Sequence, residues 1–268
     1  MNDKTTKDSR AVPGAQGIQR AFAVLREVAA REHEGARLMD IVVALELEHP
    51  TAHRLLNALV AEGLARRDAA TRRYHLGHLV YEFGIGVRPH ESLRQLCAPT
   101  LVQLARRTVD SIFLMVRSGL DMVCLDMIEG TYPIKANTLA VGQRRPLGVG
   151  AASLALLLTM PEHEVDAVLA INAARLPEYH NMSEQAVRSL LDASRATGYA
   201  LVDGDTTAGV SAISVALRRP EGAPFAAITI GGVSSRFTLE RRAGLAQMLA
   251  NEVRAIERRR DVPAESRD

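Results

Sequence analysis

Apolar positions recur with a helical period soon after the chain begins. Ile18, Phe22, Leu25 and Ala29 fall at i, i+4, i+7 and i+11, one stripe of an amphipathic helix that the charged stretch 31–35 ends. A shorter helix is predicted from Met39 to Leu45, with Ile41, Val42 and Leu45 turned inward. Soon after, His49-Pro50-Thr51 opens another; Pro50 suits a first turn because its missing N–H needs no partner there. Its stripe is Ala52, Leu55, Leu56, Leu59 and Val60, and Gly63 stops it. From Leu64 to Leu76 two short extended pieces flank a polar turn. Helices followed by a basic hairpin have the order of a winged helix-turn-helix, an order that a helical adaptor for protein contacts can share.

Farther along, the period changes. Residues 78–97, interrupted by Gly84, Gly86 and Pro89, read as a helical linker, and Cys97-Ala98-Pro99-Thr100 starts a helix with Leu101, Leu104 and Ala105 inward. Ile112–Val116, Met122–Ile128 and Ile134–Leu139 are strand-like runs. Helices are expected from about Gly150 to Met160, from Pro161 to Ile171 and from Ser183 to Thr197, the last stopped by Gly198. Strands follow at Tyr199–Val202, Val210–Arg218 and Phe225–Gly231, then a closing helix from Thr238 to about Arg258. The mixture argues α+β with a mostly antiparallel sheet. The expected division is a flexible arm at 1–15, a winged helix-turn-helix at 16–77, the linker at 78–97, a sheet domain at 98–258 and a charged tail at 259–268.

Composition narrows the classes. A chain of 268 residues suits two domains, and 47% hydrophobic with 24% charged residues argues globular order. Lys+Arg 33 against Asp+Glu 31 leaves a formal charge of only +2, so any nucleic-acid partner must be held by a local patch. Cys97 and Cys124 form no CxxC, which excludes a zinc ribbon and a disulfide scaffold and suits two reduced thiols. The polar start lacks the apolar stretch of a signal peptide. The longest uncharged apolar run, Leu147–Met160, is shorter than the ~20 residues of a bilayer span. A soluble, cytoplasmic protein without a membrane partner is expected.

The patch is visible in the helix that begins at His49. At 100° per residue, Arg54 points away from the stripe centred on Ala52 and Leu56, with Asn57 and Thr51 to either side. Those residue types read guanine, adenine and phosphate. His49 and His53 are placed on the same DNA-facing surface, and Arg66, Arg67, Arg72 and Arg73 flank the hairpin turn as a wing would for phosphates. Singly, each arginine also fits a solvated surface.

Over nearly its whole length the chain resembles the isocitrate-lyase-regulator (IclR) family of bacterial transcription regulators. The stretches that carry this are Thr51-Ala-His53-Arg54-Leu-Leu-Asn57, Tyr74-His75-Leu76-Gly77, Gly198-Tyr199-Ala200, Gly209-Val-Ser-Ala-Ile213, and Phe225–Gly231 followed by Ser235-Arg236-Phe237-Thr238. The resemblance implies a winged helix that binds a palindromic operator in double-stranded DNA as a homodimer or homotetramer, and a GAF-like effector domain that binds a small organic acid. It also implies that Val202, Ala212, Thr229 and Gly231 line the effector pocket; Val210 is expected there as well. Departures are Gly148-Val-Gly-Ala151-Ala152-Ser153 where the family carries a different start to its effector helix, and Arg145 where it carries leucine. Val202 and Ala212 replace an acidic residue and a cysteine, so the namesake's specificity is not carried over.

Strand parity puts Ala212 and Ser214 on one face of their strand, and Thr229 and Gly231 on one face of the next. Such a face is small and hydroxylated; it leaves room for a ligand, or it packs tightly against a helix. Ile134, Leu147 and Ile230 are expected as apolar walls. The effector is expected to be a small carboxylic acid, aromatic in character, met by the N–H groups at Ala151, Ala152 and Ser153 and by Arg145. Arg145 equally fits a loop residue projecting into water.

Enzyme and cofactor readings find less support. Gly148-Val-Gly150-Ala-Ala-Ser153 matches a dinucleotide fingerprint, but Gln143-Arg-Arg-Pro146 precedes it in place of a hydrophobic strand. Ser211 lacks the second glycine of a nucleophile elbow, and Tyr74, His75 and His78 have no carboxylate or thiol at ligand spacing. The expectation is a regulator with no catalytic residue, metal or cofactor. A metabolic enzyme, or a sensor whose helical domain contacts only proteins, stays open as the alternative.

Overall fold

A computed structural model describes residues 14–32, 34–85, 88–135 and 138–261. The expected arm lies outside the described residues up to position 13, as does the expected tail from 262 onward. The chain divides into two compact units, 1–88 and 89–268.

In the first unit, α1 (Gln16–Ala30), α2 (Leu38–Ala44) and α3 (His49–Ala61) precede an antiparallel hairpin of β1 (Ala65–Arg67) and β2 (Tyr74–Leu76), then α4 (His78–Ile85). Val24, Val28, Ile41, Ala52, Leu56 and Tyr74 form its core. The hairpin is tied to the helices at Ala36, which exchanges two 2.8 Å backbone hydrogen bonds with Tyr74. Of the stripe expected to bury α1, Leu25 packs against the core, but Ile18 and Phe22 do not. Ile18 and Phe22 are 63% and 51% exposed, while Val24 and Val28 are fully buried. The two faces lie about 100° apart around the helix, so periodicity found an apolar strip offset from the one that packs inward.

The second unit begins with α5 (Arg88–Thr108), a single helix containing Pro99. Leu93 and Cys97, read from sequence as linker, are buried in this unit's core. Then come β3 (Ser111–Ser118), β4 (Asp121–Ile128), β5 (Arg144–Pro146), α6 (Ala151–Leu157), α7 (Glu162–Asn172), α8 (Glu184–Thr197), β6 (Ala200–Asp203), β7 (Val210–Arg218), β8 (Pro224–Val233) and α9 (Leu239–Asp261). The strands form one antiparallel sheet in the order β5-β4-β3-β8-β7-β6. Alternation gives each sheet face its own helices. Ile112, Leu114, Ile213, Ile228 and Ile230 pack with α5 and α9; Phe113, Met115, Met122, Val202 and Ala227 pack with α6, α7 and α8. The fold is α+β.

Of the strand expected at Ile134–Leu139, residues 136–137 lie outside the described residues, and 134–135 and 138–139 are not in a strand. The outer edge of β4 is taken by a later segment. Gly142 donates to Cys124 at 2.8 Å, Cys124 donates to Gln143 at 2.9 Å, and β5 continues the ladder with Arg145 opposite Met122.

Near the start of β3, Asp110 is buried with its side chain 1% exposed. It accepts from Arg236 Nε at 2.7 Å and from Arg241 Nη2, and both arginines also donate to the Thr108 carbonyl. Arg236 lies 4.1 Å over the Tyr132 ring. This clasp joins the C-terminal end of α5 to the start of α9. Asp110→Ala leaves two largely buried cations without their acid, and is expected to cost about 3–5 kcal/mol, read as a lower urea midpoint. A midpoint unchanged from wild type would show that the clasp contributes nothing to stability.

Candidate functional site

Two features concentrate chemistry, one in each unit. The first is the outer face of α3. Ala52, Leu56 and Leu59 point into the core, which leaves His49, His53, Arg54 and Asn57 exposed and Thr51 half-buried. The Asn57 amide nitrogen lies 3.4 Å from His53 Nε2. Arg54 makes no ion pair among the described residues, so its guanidinium is available.

The hairpin beside it is shaped by Asp68, which accepts from Thr71 N at 2.6 Å and Oγ1 at 2.7 Å. Those bonds hold the Asp68 carboxyl below its ordinary value, led by the one from the Thr71 backbone. The turn sets Arg72 in the left-handed region at φ 58. Arg66, Arg67 and Arg72 are exposed; Arg67 also lies 5.5 Å over the Tyr74 ring. Arg73 differs. It is half-buried and donates to the Gly35 carbonyl at 2.9 Å, which ties the hairpin to the loop after α1.

The second feature is a pocket of about 70 Å³ between the sheet and the start of α6. Phe113, Met115, Met122 and Val202 supply apolar walls; Ala212, Thr229 and Gly231 form the small face. Gly150, at φ 86, turns the chain into α6, so that Ala151 and Ala152 also line the space. The helix ladder begins with Leu154 donating to Gly150, leaving the preceding N–H groups outside it.

Arg145 enters this pocket from β5. It donates to the Thr138 carbonyl at 2.6 Å and lies 5.9 Å from the Tyr179 ring centre. Burial pushes its guanidinium below the ordinary arginine value, although Tyr179 acts in the opposite direction. Burial likewise pushes the Tyr179 hydroxyl up. Neighbouring Arg144 has a carboxylate, Asp121 Oδ2 at 3.2 Å, while Arg145 makes no ion pair among the described residues. A desolvated cation facing an apolar space without a counter-charge is suited to an anion.

The bacterial transcriptional regulator IclR C-terminal domain matches residues 87–258, and the IclR helix-turn-helix domain matches residues 17–69. The chain belongs to the IclR family. It is a transcriptional regulator with a helix-turn-helix DNA-binding domain and a C-terminal effector domain. KipR of Bacillus subtilis is 26% identical over 228 residues, covering 83% of this chain and 88% of that protein. The repressor AllR of Klebsiella pneumoniae is 24% identical over 251 residues, covering 93% and 92%. An IclR-family structure from Brucella abortus aligns with a TM-score of 0.71 at 24% identity, covering 98% of this chain and 97% of that one. An IclR homolog from Microbacterium hydrocarbonoxydans, solved with 4-hydroxybenzoate, aligns at 0.69 and 21% identity, covering 91% and 99%. Among the described residues, no helix is long and apolar enough to cross a membrane.

Within this IclR fold, the structure brings Arg145, Ala151, Ala152, Val202, Val210, Ala212, Thr229 and Gly231 to one pocket. Other expected pocket residues lie elsewhere. Ile134 is 61% exposed and outside the lining. Ile230 points to the opposite sheet face, against α5 and α9, as the parity of Thr229 and Gly231 requires. Leu147 is buried in the core behind the pocket, and Ser153 Oγ accepts from the Gly148 N–H. Ser214 shares the face but sits beyond the pocket, its Oγ 2.9 Å from Thr229 Oγ1. Sequence reasoning missed eight lining residues: Phe113, Met115, Met122, Thr138, Leu139, Val149, Gly150 and Thr206. Met122 carried a signal once β5 was placed, because it pairs with Arg145; Thr206 lies in a loop and carried none.

Proposed function

We propose that this regulator docks α3 in a DNA major groove, with Arg54 and Asn57 at base edges and Arg66, Arg67 and Arg72 at phosphates. Thr51, His49 and His53 lie on the same surface, and Arg73 serves the hairpin more than the DNA. Its site is a palindrome bound by a homodimer, since one small winged helix makes few base contacts and two-fold association doubles them. The apolar strip of α1 around Ile18 and Phe22, exposed in the single chain, supports this, as do exposed Tyr81 and Phe83 on α4. Sedimentation velocity at micromolar concentration is expected to show a dimer, and Phe22→Glu to shift it toward monomer. A monomer that still binds DNA specifically would contradict the dimer.

The second unit senses a small carboxylic acid, and the observation that carries this is the Arg145 guanidinium in the pocket, which has no carboxylate partner among the described residues. Its carboxylate meets Arg145 and the first N–H groups of α6. The Phe113, Met115 and Met122 walls suit an aromatic acid, and the Microbacterium hydrocarbonoxydans homolog was solved with one. A short aliphatic acid is the second reading, favoured by volume. About 70 Å³ is under half of the ~150 Å³ of an engineered cavity that takes benzene, so a ring enters only if the lining yields. Thermal unfolding with 4-hydroxybenzoate, pyruvate and their amides separates these readings. At 100 times its Kd an acid stabilises the protein by about 2.7 kcal/mol. Stabilisation by neither acid, or equally by the amides, would count against the carboxylate site.

A further inference from the structure

A larger groove, of about 500 Å³, opens beside the pocket, between the C-terminal end of α6, the C-terminal end of α8, α9 and the outer part of β7. Its floor is apolar, from Leu158, Ala200, Val215, Ala216 and Val253, and its rim carries Arg195, Arg218 and Arg254. The charges are unevenly matched. Arg195 pairs with Asp192 at 2.8 Å, whereas Arg254 donates to the neutral Asn251 at 2.6 Å and makes no ion pair among the described residues. Arg218 has no partner for its guanidinium among the described residues. The one rim acid, Glu257, already accepts the Arg218 backbone N–H at 2.8 Å. In the wall, Ser194 is 2% exposed and its Oγ has no hydrogen-bond partner, although a helical serine ordinarily finds a carbonyl one turn back.

Strand addition along β7 does not fit this groove. The Arg218 backbone N–H is taken by Glu257 and its carbonyl by Arg260, so the edge is closed where a further strand would pair. An excess of arginine over an apolar floor suits a small amphiphilic anion instead. The groove also shares its framework with the pocket. Val202 and Ala212 face the pocket, while Ala200 and Ala216 on the same two strands face the groove. Thr229 of the pocket and Ser214 of the groove meet at 2.9 Å, so a hydroxyl pair links the two linings.

We propose that the groove is a second ligand site, for a medium-chain carboxylate whose charged end meets Arg218 and Arg254 and whose chain lies along the apolar floor toward Ser194. The assignment does not depend on the acid given to the first pocket. The test uses full-length protein with labelled Ala, Leu and Val methyl groups, titrated with octanoate and with octanamide. Octanoate is expected to move the Leu158, Val215 and Val253 resonances. The Arg218→Gln/Arg254→Gln double variant should bind octanoate about tenfold more weakly at an unchanged melting temperature, both side chains being exposed. Octanamide should be weaker by a similar factor, and Arg145→Leu should leave groove binding unchanged even if it empties the first pocket. Shifts confined to Val149 and Val202, equal binding of the amide, unaltered binding by the double variant, or no binding would each overturn the proposal.

Discussion

Arg145→Leu is expected to weaken binding of the effector acid by about 10- to 100-fold, the range of a charge-assisted hydrogen bond in a largely dry site. The free protein should keep its stability or gain some. Among the described residues the guanidinium, desolvated by burial, has the Thr138 carbonyl and the Tyr179 ring as partners and no carboxylate, so leucine removes a largely buried charge without orphaning another. Although burial lowers its pKa, an arginine stays protonated at neutral pH, so the variant measures charge and not titration. The neutral amide of the same ligand closes a double-mutant cycle: it should lose affinity for wild type and little further for Arg145→Leu. Equal Kd values for the acid on both proteins would make Arg145 a wall residue only.

On DNA, the largest single effect is expected from Arg54→Ala, a cost of about 1–3 kcal/mol on the cognate site with relaxed discrimination at one base pair. Arg72→Ala should weaken all sequences alike and flatten the dependence of log K on log salt by about one. The two differ because Arg54 stands on the exposed face of α3, whereas Arg72 sits at the tip of the hairpin turn that Asp68 and Thr71 build. Arg73→Ala should act chiefly on stability, by about 1 kcal/mol, through its lost bond to Gly35. Reversed phenotypes, with Arg72 selective and Arg54 indifferent, would exchange the roles of helix and hairpin.

The elements that could be read from the sequence are those whose partners are local. The α3 stripe, the Gly198 stop of α8, and the parity of Ala212 and Thr229 depend on neighbours within a few residues. What could not be read depends on distant pairing. Phe113 reaches the pocket because it pairs with Thr229 across β3 and β8, and no local pattern states that register. Ile134–Leu139 carries a strand-like composition, yet the edge it would need is occupied by β5. On α1 both faces are apolar, and only the tertiary packing selects Val24 and Val28 over Ile18 and Phe22.

Because one unit carries the DNA-facing helix and the other the acid pocket, we propose that acid held in the second unit alters how the first unit binds DNA. Its most direct test is fluorescence anisotropy on a duplex selected from random sequence by the protein itself, with and without saturating acid, across a range of salt. The account predicts a palindromic site, affinity that falls steeply with salt at about 0.9 per phosphate contact, and a change of at least about fivefold on adding acid. That change should vanish in Arg145→Leu. Affinity unchanged by saturating acid, or flat with salt and equal for selected and scrambled duplexes, would contradict it.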